Sequence, residues 1–231
     1  MIEPDSKTAV TRSSLLVLVM GLLITIGVAA ALARAWAVVY GDEAARFLVS
    51  TLPEGMRDEA KDFNMWFAGN PVLTLMHIVP GALFLLAAPV QFIGPVRTRY
   101  AKLHRWSGHI LILTAILVAI SGLRMATVFP FGGWAPALAA ITAGTVFLFA
   151  LAKAYTAIRT GDYVRHREWM IRMFAIGIGI AVVRVIGLTI YTATGSGFAD
   201  MAGWAFWTGW LTSIAAAELW IRQTRLRTSR V

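Results

Sequence analysis

Cysteine is absent from this chain, so disulfides, thiolate metal sites and cysteine nucleophiles are all excluded. Charge is scarce: 14% of residues are charged and 58% hydrophobic, which is not the composition of a soluble core. Acids are scarcer still, 12 against 21 Lys and Arg, and the long apolar runs hold none except Glu218 near the end of the last one. There is no helical HExxH motif, no Gly-rich phosphate loop and no serine nucleophile elbow, so hydrolysis and nucleotide use have no support. The four histidines are dispersed, whereas zinc needs about three or four N, O or S ligands at one depth.

What is present is length and apolarity. Six stretches are predicted to cross a bilayer as helices, near Ser14–Val39, Met65–Gly94, His104–Ala126, Pro136–Ile158, Trp169–Thr194 and Ala205–Ile221, since a span needs ~20 residues at ~1.5 Å rise. The first follows Lys7 and Arg12 but is longer than a secretory signal core, and reads as an uncleaved anchor. The expected fold is therefore all-α and polytopic, one integral membrane domain over residues 1–231.

The net charge of +9 is segregated. Fifteen of the 21 Lys and Arg fall on one side: Lys7, Arg12, Arg97, Arg99, Lys102, Arg105, Lys153, Arg159, Arg165, Arg167, Arg172, Arg222, Arg225, Arg227 and Arg230. The opposite side holds Arg46, Arg57 and Lys61, outnumbered by six acids between Asp42 and Asp62. Positive residues flank spans on the cytoplasmic side, so both termini are expected there, with anionic lipids as partners. The same placement argues against nucleic acid. Trp204, Trp207 and Trp210 fit an aromatic belt at the far interface. Between the first two spans, residues 41–64 alternate charge with Phe47, Leu48, Leu52 and Phe63, and predict two short surface helices.

A repeat organises the rest. RTRYAKLHR, Arg97 to Arg105, returns 62 positions later as RTGDYVRHR, Arg159 to Arg167, with four of nine positions identical. Two hairpins, about 65–126 and 136–194, should thus be built alike around an axis along the membrane normal, giving a four-helix core flanked by the first and last helices. Within the first hairpin, Pro80 removes a backbone hydrogen bond and should kink the helix beside His77. Gly177 and Gly179 permit close helix approach.

Ionisable groups within spans are costly and mark candidate sites. By helical rise, His77 lies ~25 Å from the cytoplasmic end of its helix, Arg184 ~27 Å above His166 and Arg124 ~30 Å above His104. Three cations at one depth without an acid call for a carboxylate, phosphate, quinone oxygen or water cluster. The plainer alternatives are that Arg124 snorkels to the surface and that His77 bonds a carbonyl freed by Pro80; Arg34 is placed near the outer edge. A second layer is cytoplasmic. His104 and His166 occupy equivalent places in the repeat and could ligate one haem iron, with Arg105 and Arg167 toward the propionates and Gly108 leaving room for a flat ring. Otherwise each His-Arg pair is an interfacial anchor touching phosphates. His109 is ~140° around the helix from His104 and is placed outside that site.

The stretch LMHIVPGALFLLAAPVQFIGPVRTRYAKLHRWSGHI, followed by HREWMIR and Arg184, resembles an uncharacterised family of bacterial predicted membrane proteins. That resemblance implies a multi-pass protein of a bacterial inner membrane and no activity. LHRWSGHILILTAILVAISG is also similar to the histidine-bearing helix of membrane b-type cytochromes and ferric-reductase-like proteins. Their paired histidines on one helix are missing here: the position fourteen after His104 is Val118, and the repeat equivalent of His77 is Ala139. A two-haem core is therefore not expected. The function expected is a redox membrane protein holding one haem b or a quinone; the alternatives are a lipid- or anion-binding protein, an accessory subunit of a membrane complex or a homo-oligomer, and a transporter.

Overall fold

The computed structural model describes residues 6–228. Of the fifteen Lys and Arg counted above on one side, Arg230 lies outside the described residues, as do the side chains of Lys7, Arg12 and Arg227. Among the described residues there is no strand. The helices are α1 (Ser6–Tyr40), α2 (Asp42–Ser50), α3 (Arg57–Gly69), α4 (Pro71–Ala87), α5 (Gly94–Thr98), α6 (Ala101–Val128), α7 (Trp134–Arg159), α8 (Tyr163–Thr194) and α9 (Phe198–Thr228), with 3₁₀ turns at Glu54–Met56 and Ala88–Phe92.

Five segments are long and apolar enough to cross a membrane: Ser14–Tyr40, Pro71–Phe92, Ala101–Val128, Trp134–Arg159 and Tyr163–Thr194. The sequence predicts a sixth in α9, which has the length at 31 residues but not the apolarity. Its middle is built from Trp, Ala, Gly, Thr and Ser instead of Leu, Ile and Val. It nevertheless runs antiparallel along α8 for most of its length, with Gly187 opposite Ala205, Gly179 opposite Ser213 and Arg172 opposite Glu218.

The second span starts later than its apolar run suggests. Met65–Asn70 belongs largely to α3, because Gly69 ends that helix, Asn70 leaves helical geometry, and Pro71 opens α4 at its first position, where the missing N–H costs nothing. Pro80 sits inside α4, and Pro89 falls in the 3₁₀ turn that tightens its end. The hairpin between α6 and α7 turns on Gly132 and Gly133 at φ 69° and 86°, a left-handed region that side chains with a Cβ avoid. At the start of α8, the Asp162 carboxylate accepts a hydrogen bond from the Arg165 N–H.

The core lies where α4, α6, α7 and α8 meet, around Phe84, Leu111, Ala115, Phe147, Ala150 and Met173, with α1 packed on its flank through Leu23, Ile24 and Val28. α4 and α6 are antiparallel, His77 facing Gly122, Gly81 facing Val118 and Gln91 facing Ser107. α7 and α8 are likewise antiparallel, Phe149 meeting Trp169 and Ala154 meeting His166. One end of the bundle carries α2 and α3 and is hereafter the acidic face; the end carrying α5 and the starts of α6 and α8 is the basic face. On the acidic face α3 is held by rings: Phe63 lies against Phe129 and Phe131, and Trp66 stacks on Phe129, with centroids 4.5–5.9 Å apart. The Glu59 carboxylate also accepts the Ala199 N–H at 2.6 Å, at the positive end of the α9 dipole.

Candidate functional site

The first layer of ionisable groups lies toward the α3 end of the bundle, with Arg34 and His77 half-buried. His77 projects from α4 onto α6, its Nδ1 3.1 Å from the Val118 carbonyl and 3.2 Å from Ser121 Oγ. A carbonyl only accepts, so Nδ1 carries the proton and donates it to Val118. That carbonyl belongs to the neighbouring helix and is not one freed by Pro80. The ring lies so close to α6 that a Cβ on Gly122 would stand 3.0 Å from His77 Cε1. Gly122 therefore sets the approach, a role its sequence context did not signal. With Nδ1 engaged, Nε2 is the nitrogen left for a ligand.

Arg184 stands on the α8 face that also carries Gly177 and Ala181, residues packed toward α4 and α1. Its Nη1 donates to its own helix at the Ile180 carbonyl, 3.0 Å away. The side chain is accessible at the surface of the bundle. It is close enough to feel the charge of both His77 and Arg34. Arg34, which the sequence places only near an edge, reaches this layer from α1. Its guanidinium lies 4.6 Å from the Phe67 ring centroid and 5.2 Å from that of Phe63, a cation–π arrangement, and among the described residues its buried Nη1 has no acceptor.

Arg124 does not join them. It is two residues beyond Gly122, so at ~100° per residue it leaves α6 well away from the His77 face, and it is exposed. Among the described residues no carboxylate pairs with Arg34, His77 or Arg184. The layer is thus three basic groups from α1, α4 and α8.

The basic face holds the repeated motif. His166 Nδ1–H donates to the Ala154 carbonyl across the α7–α8 hairpin at 2.9 Å, which leaves its Nε2 free. His104 comes within electrostatic reach of His166, Arg97 and Arg105, and its buried Nδ1 has no partner among the described residues. Arg167 donates to Thr224 Oγ1 of α9 at 3.0 Å and senses Arg97. His109 turns away, bonding the Arg105 carbonyl of its own helix at 2.7 Å; with Lys102, Arg105 and Trp106 it lines a shallow surface groove.

Two ion pairs bind α8 to α9 here, and the sequence reading missed both. The buried carboxylate of Glu168 takes the fork of Arg225, and that pairing raises the Arg225 guanidinium above its ordinary value. Arg172 is bidentate to Glu218 at 2.5 and 3.0 Å and stacks 4.6 Å over Trp169. The available signal was spacing: Glu168 and Arg172 are one turn apart on one helix, Glu218 and Arg225 two turns apart on another.

The groups assigned to a haem only partly suit one. Two imidazoles near each other provide axial nitrogens. Yet Gln91 Oε1 lies 3.8 Å from where a Gly108 Cβ would be, so the helix surface there is covered by a side chain that also bonds Ser107 at 2.6 Å. Arg167 is engaged by Thr224 and Arg105 lines the groove beside His109. Among the described residues, no three His, Asp or Glu cluster as a metal site.

Residues 74–221 match the model of a family described as predicted membrane protein (DUF2306). The chain belongs to that family, and the match runs from Thr74 in α4 to Ile221 in α9. No curated protein and no solved structure matches it. The likeness of α6 to b-type cytochromes finds no support among these comparisons.

Proposed function

We propose that this membrane protein binds an amphipathic molecule by an anionic, oxygen-rich head group seated among Arg34, His77 and Arg184, and that it does so without chemistry of its own. The observation that carries this reading is the convergence of three basic groups from three helices with no carboxylate among the described residues beside them. Uncompensated charge in a low-dielectric interior is strongly unfavourable, so such a layer persists only where something anionic or well hydrated completes it. Arg34 and Arg184 offer donors in a planar fork, the geometry that matches phosphate or carboxylate, and His77 Nε2, an acceptor while Nδ1–H donates to Val118, takes a hydroxyl of the head group. A quinone oxygen satisfies the same donors.

The topology belongs to the same proposal. α9 serves as a sixth span because it accompanies α8 through its depth, with Trp204 and Trp207 exposed toward one end and Trp220 toward the other; Trp210, expected in the same belt, instead packs on Gly179 inside the bundle. Counting it, both termini lie on the basic, cytoplasmic face of a bacterial inner membrane and the Arg34–His77–Arg184 layer lies in the outer leaflet. A ligand reaches it sideways from lipid.

The test is to purify the protein in mild detergent, extract it, and identify co-purifying lipids and quinones by mass spectrometry. An anionic lipid or quinone near one per protein, falling at least tenfold in Arg184→Gln with the fold intact, is the expected result. Equal retention in wild type and variant would sink the proposal.

A second reading, one b-type haem between His104 and His166, is favoured by the tie of His166 Nδ1 to Ala154, since ligating histidines commonly donate their other nitrogen to a backbone carbonyl. A reduced-minus-oxidised visible spectrum decides it: sharp α and β bands lost in His104→Ala support haem, and a featureless spectrum removes it.

A further inference from the structure

The repeated motif at the basic face takes no part in the proposed outer site. His166 and Arg184 are roughly five helical turns apart on the same face of α8, about 27 Å along its axis. Phe84 and Met173, both almost fully buried, fill the bundle between those depths. The two layers are separate.

In the basic layer the folding of the two hairpins does something that neither copy of the motif could do alone. Arg97 and His104 come from the first copy, His166 and Arg167 from the second; His104 is within electrostatic reach of Arg97 and His166, and Arg167 of Arg97, while His166 is fixed on Ala154 and Arg167 on Thr224. The nearest acid in sequence, Glu168, has both carboxylate oxygens committed to Arg225. Glu218 is likewise committed to Arg172. Among the described residues no carboxylate pairs with Arg97, His104, His166 or Arg167. His104 Nδ1 is buried and has no hydrogen-bond partner, so the cluster contains a polar atom whose partner is not supplied by the protein's described residues. Burying such an atom costs about 1–3 kcal/mol unless something satisfies it. Arg97 is exposed on the short helix α5 and reaches the cluster from its rim, leaving a route from the membrane surface.

We propose that Arg97, His104, His166 and Arg167 form a second anion site, on the basic face, that takes a phosphate group. Its chemistry is the guanidinium N–H donors of Arg97 and Arg167 and the Nδ1 of His104, unpartnered among the described residues, beside His166 whose own N–H is held by Ala154, with the neighbouring Glu168 committed to Arg225. The group could be the phosphodiester of a lipid head or free phosphate, and these differ in how they would be bound. Surface attraction of a basic face to anionic lipid is general and falls on every exposed Lys and Arg there. A built site is selective. Arg159 provides the comparison, because it is the repeat equivalent of Arg97, is exposed, and closes α7 on the same face, outside the cluster around His104.

The experiment titrates the full-length protein in detergent with phosphatidylglycerol and with phosphatidylcholine, counting bound lipid by native mass spectrometry, and repeats the first titration with inorganic phosphate present. In an Arg184→Gln background, which silences the outer site, phosphatidylglycerol is expected to bind at least tenfold more tightly than phosphatidylcholine, and that preference to be lost on adding Arg97→Gln or His104→Gln while adding Arg159→Gln retains it. Competition by millimolar phosphate would mean that the phosphate group alone is recognised; binding without competition would mean that the lipid anchor is needed. Either supports the site. Equal loss on adding Arg97→Gln and on adding Arg159→Gln, or no preference in the Arg184→Gln background itself, overturns it. Because Arg97 is exposed, its substitution leaves the packed core untouched, so a negative result there is not a folding failure.

Discussion

Gly209 on α9 is the most exacting test of how α8 and α9 fit. A Cβ there would stand 2.5 Å from Val183 Cγ2 and 2.9 Å from both the Cα and the N of Val183. The side-chain contact cannot be relieved cheaply, since a β-branched residue in a helix holds essentially one χ1 rotamer. The backbone contacts cannot be relieved at all without moving a helix. Carbon contacts are comfortable at about 3.5–4.0 Å, so Gly209→Ala requires the two axes to part by roughly 0.6–1 Å near this point, a gap that forfeits a quarter to a half of each dispersion contact along the seam. That seam includes the small residues Gly179, Gly187, Ala205 and Ser213, of the kind that lets membrane helices pack closely. Overpacking costs about 1–3 kcal/mol, and the better helix propensity of Ala returns at most about 1. Gly209→Ala is expected to destabilise by about 1–2 kcal/mol. Gly21→Ala in α1, where nothing lies within 4 Å of the new Cβ, supplies the propensity effect alone and should be neutral or stabilising. Both would be read from unfolding in mixed micelles followed by tryptophan fluorescence. If Gly209→Ala is as stable as Gly21→Ala, α8 and α9 do not pack in this register.

Trp210→Phe removes the indole N–H that donates to the Ile176 carbonyl at 3.1 Å and should cost about 0.5–1.5 kcal/mol in the same assay; a variant as stable as wild type would show that the bond is not made. Topology is testable directly because the chain has no cysteine. Lys61→Cys should be labelled by a membrane-impermeant maleimide on intact cells, and Arg159→Cys only after the membrane is opened; the reverse pattern would invert the orientation and move the Arg34–His77–Arg184 layer to the inner leaflet.

Much of the architecture is legible from one-dimensional chemistry. Apolar runs long enough for a bilayer predict helices, and five of them are in the structure as such. α9 shows where that signal weakens: tryptophan and small residues make a helix of membrane length whose sequence barely registers as apolar, and its place beside α8 follows from shape and from the Arg172–Glu218 and Glu168–Arg225 pairs. Local chemistry also misplaced a boundary. Met65 continues an apolar run, but Gly69, Asn70 and Pro71 break the backbone and assign it to α3.

The candidate sites divide in the same way. Depth along a helix is nearly linear in residue number, so His77 and Arg184, or His104 and His166, can be placed at matching heights from the sequence alone. Azimuth and neighbours cannot. Arg124 shares the height of His77 but leaves α6 in another direction, while Arg34 enters through the packing of α1 and α3, an association that no local pattern encodes. What the sequence by itself determined is the all-helical membrane character, the segregation of charge and the doubled His-Arg motif, each set by residue type and spacing. Only the tertiary structure decided which cations lost their counterions and met, because that depends on helix rotation and on contacts between residues far apart in the chain.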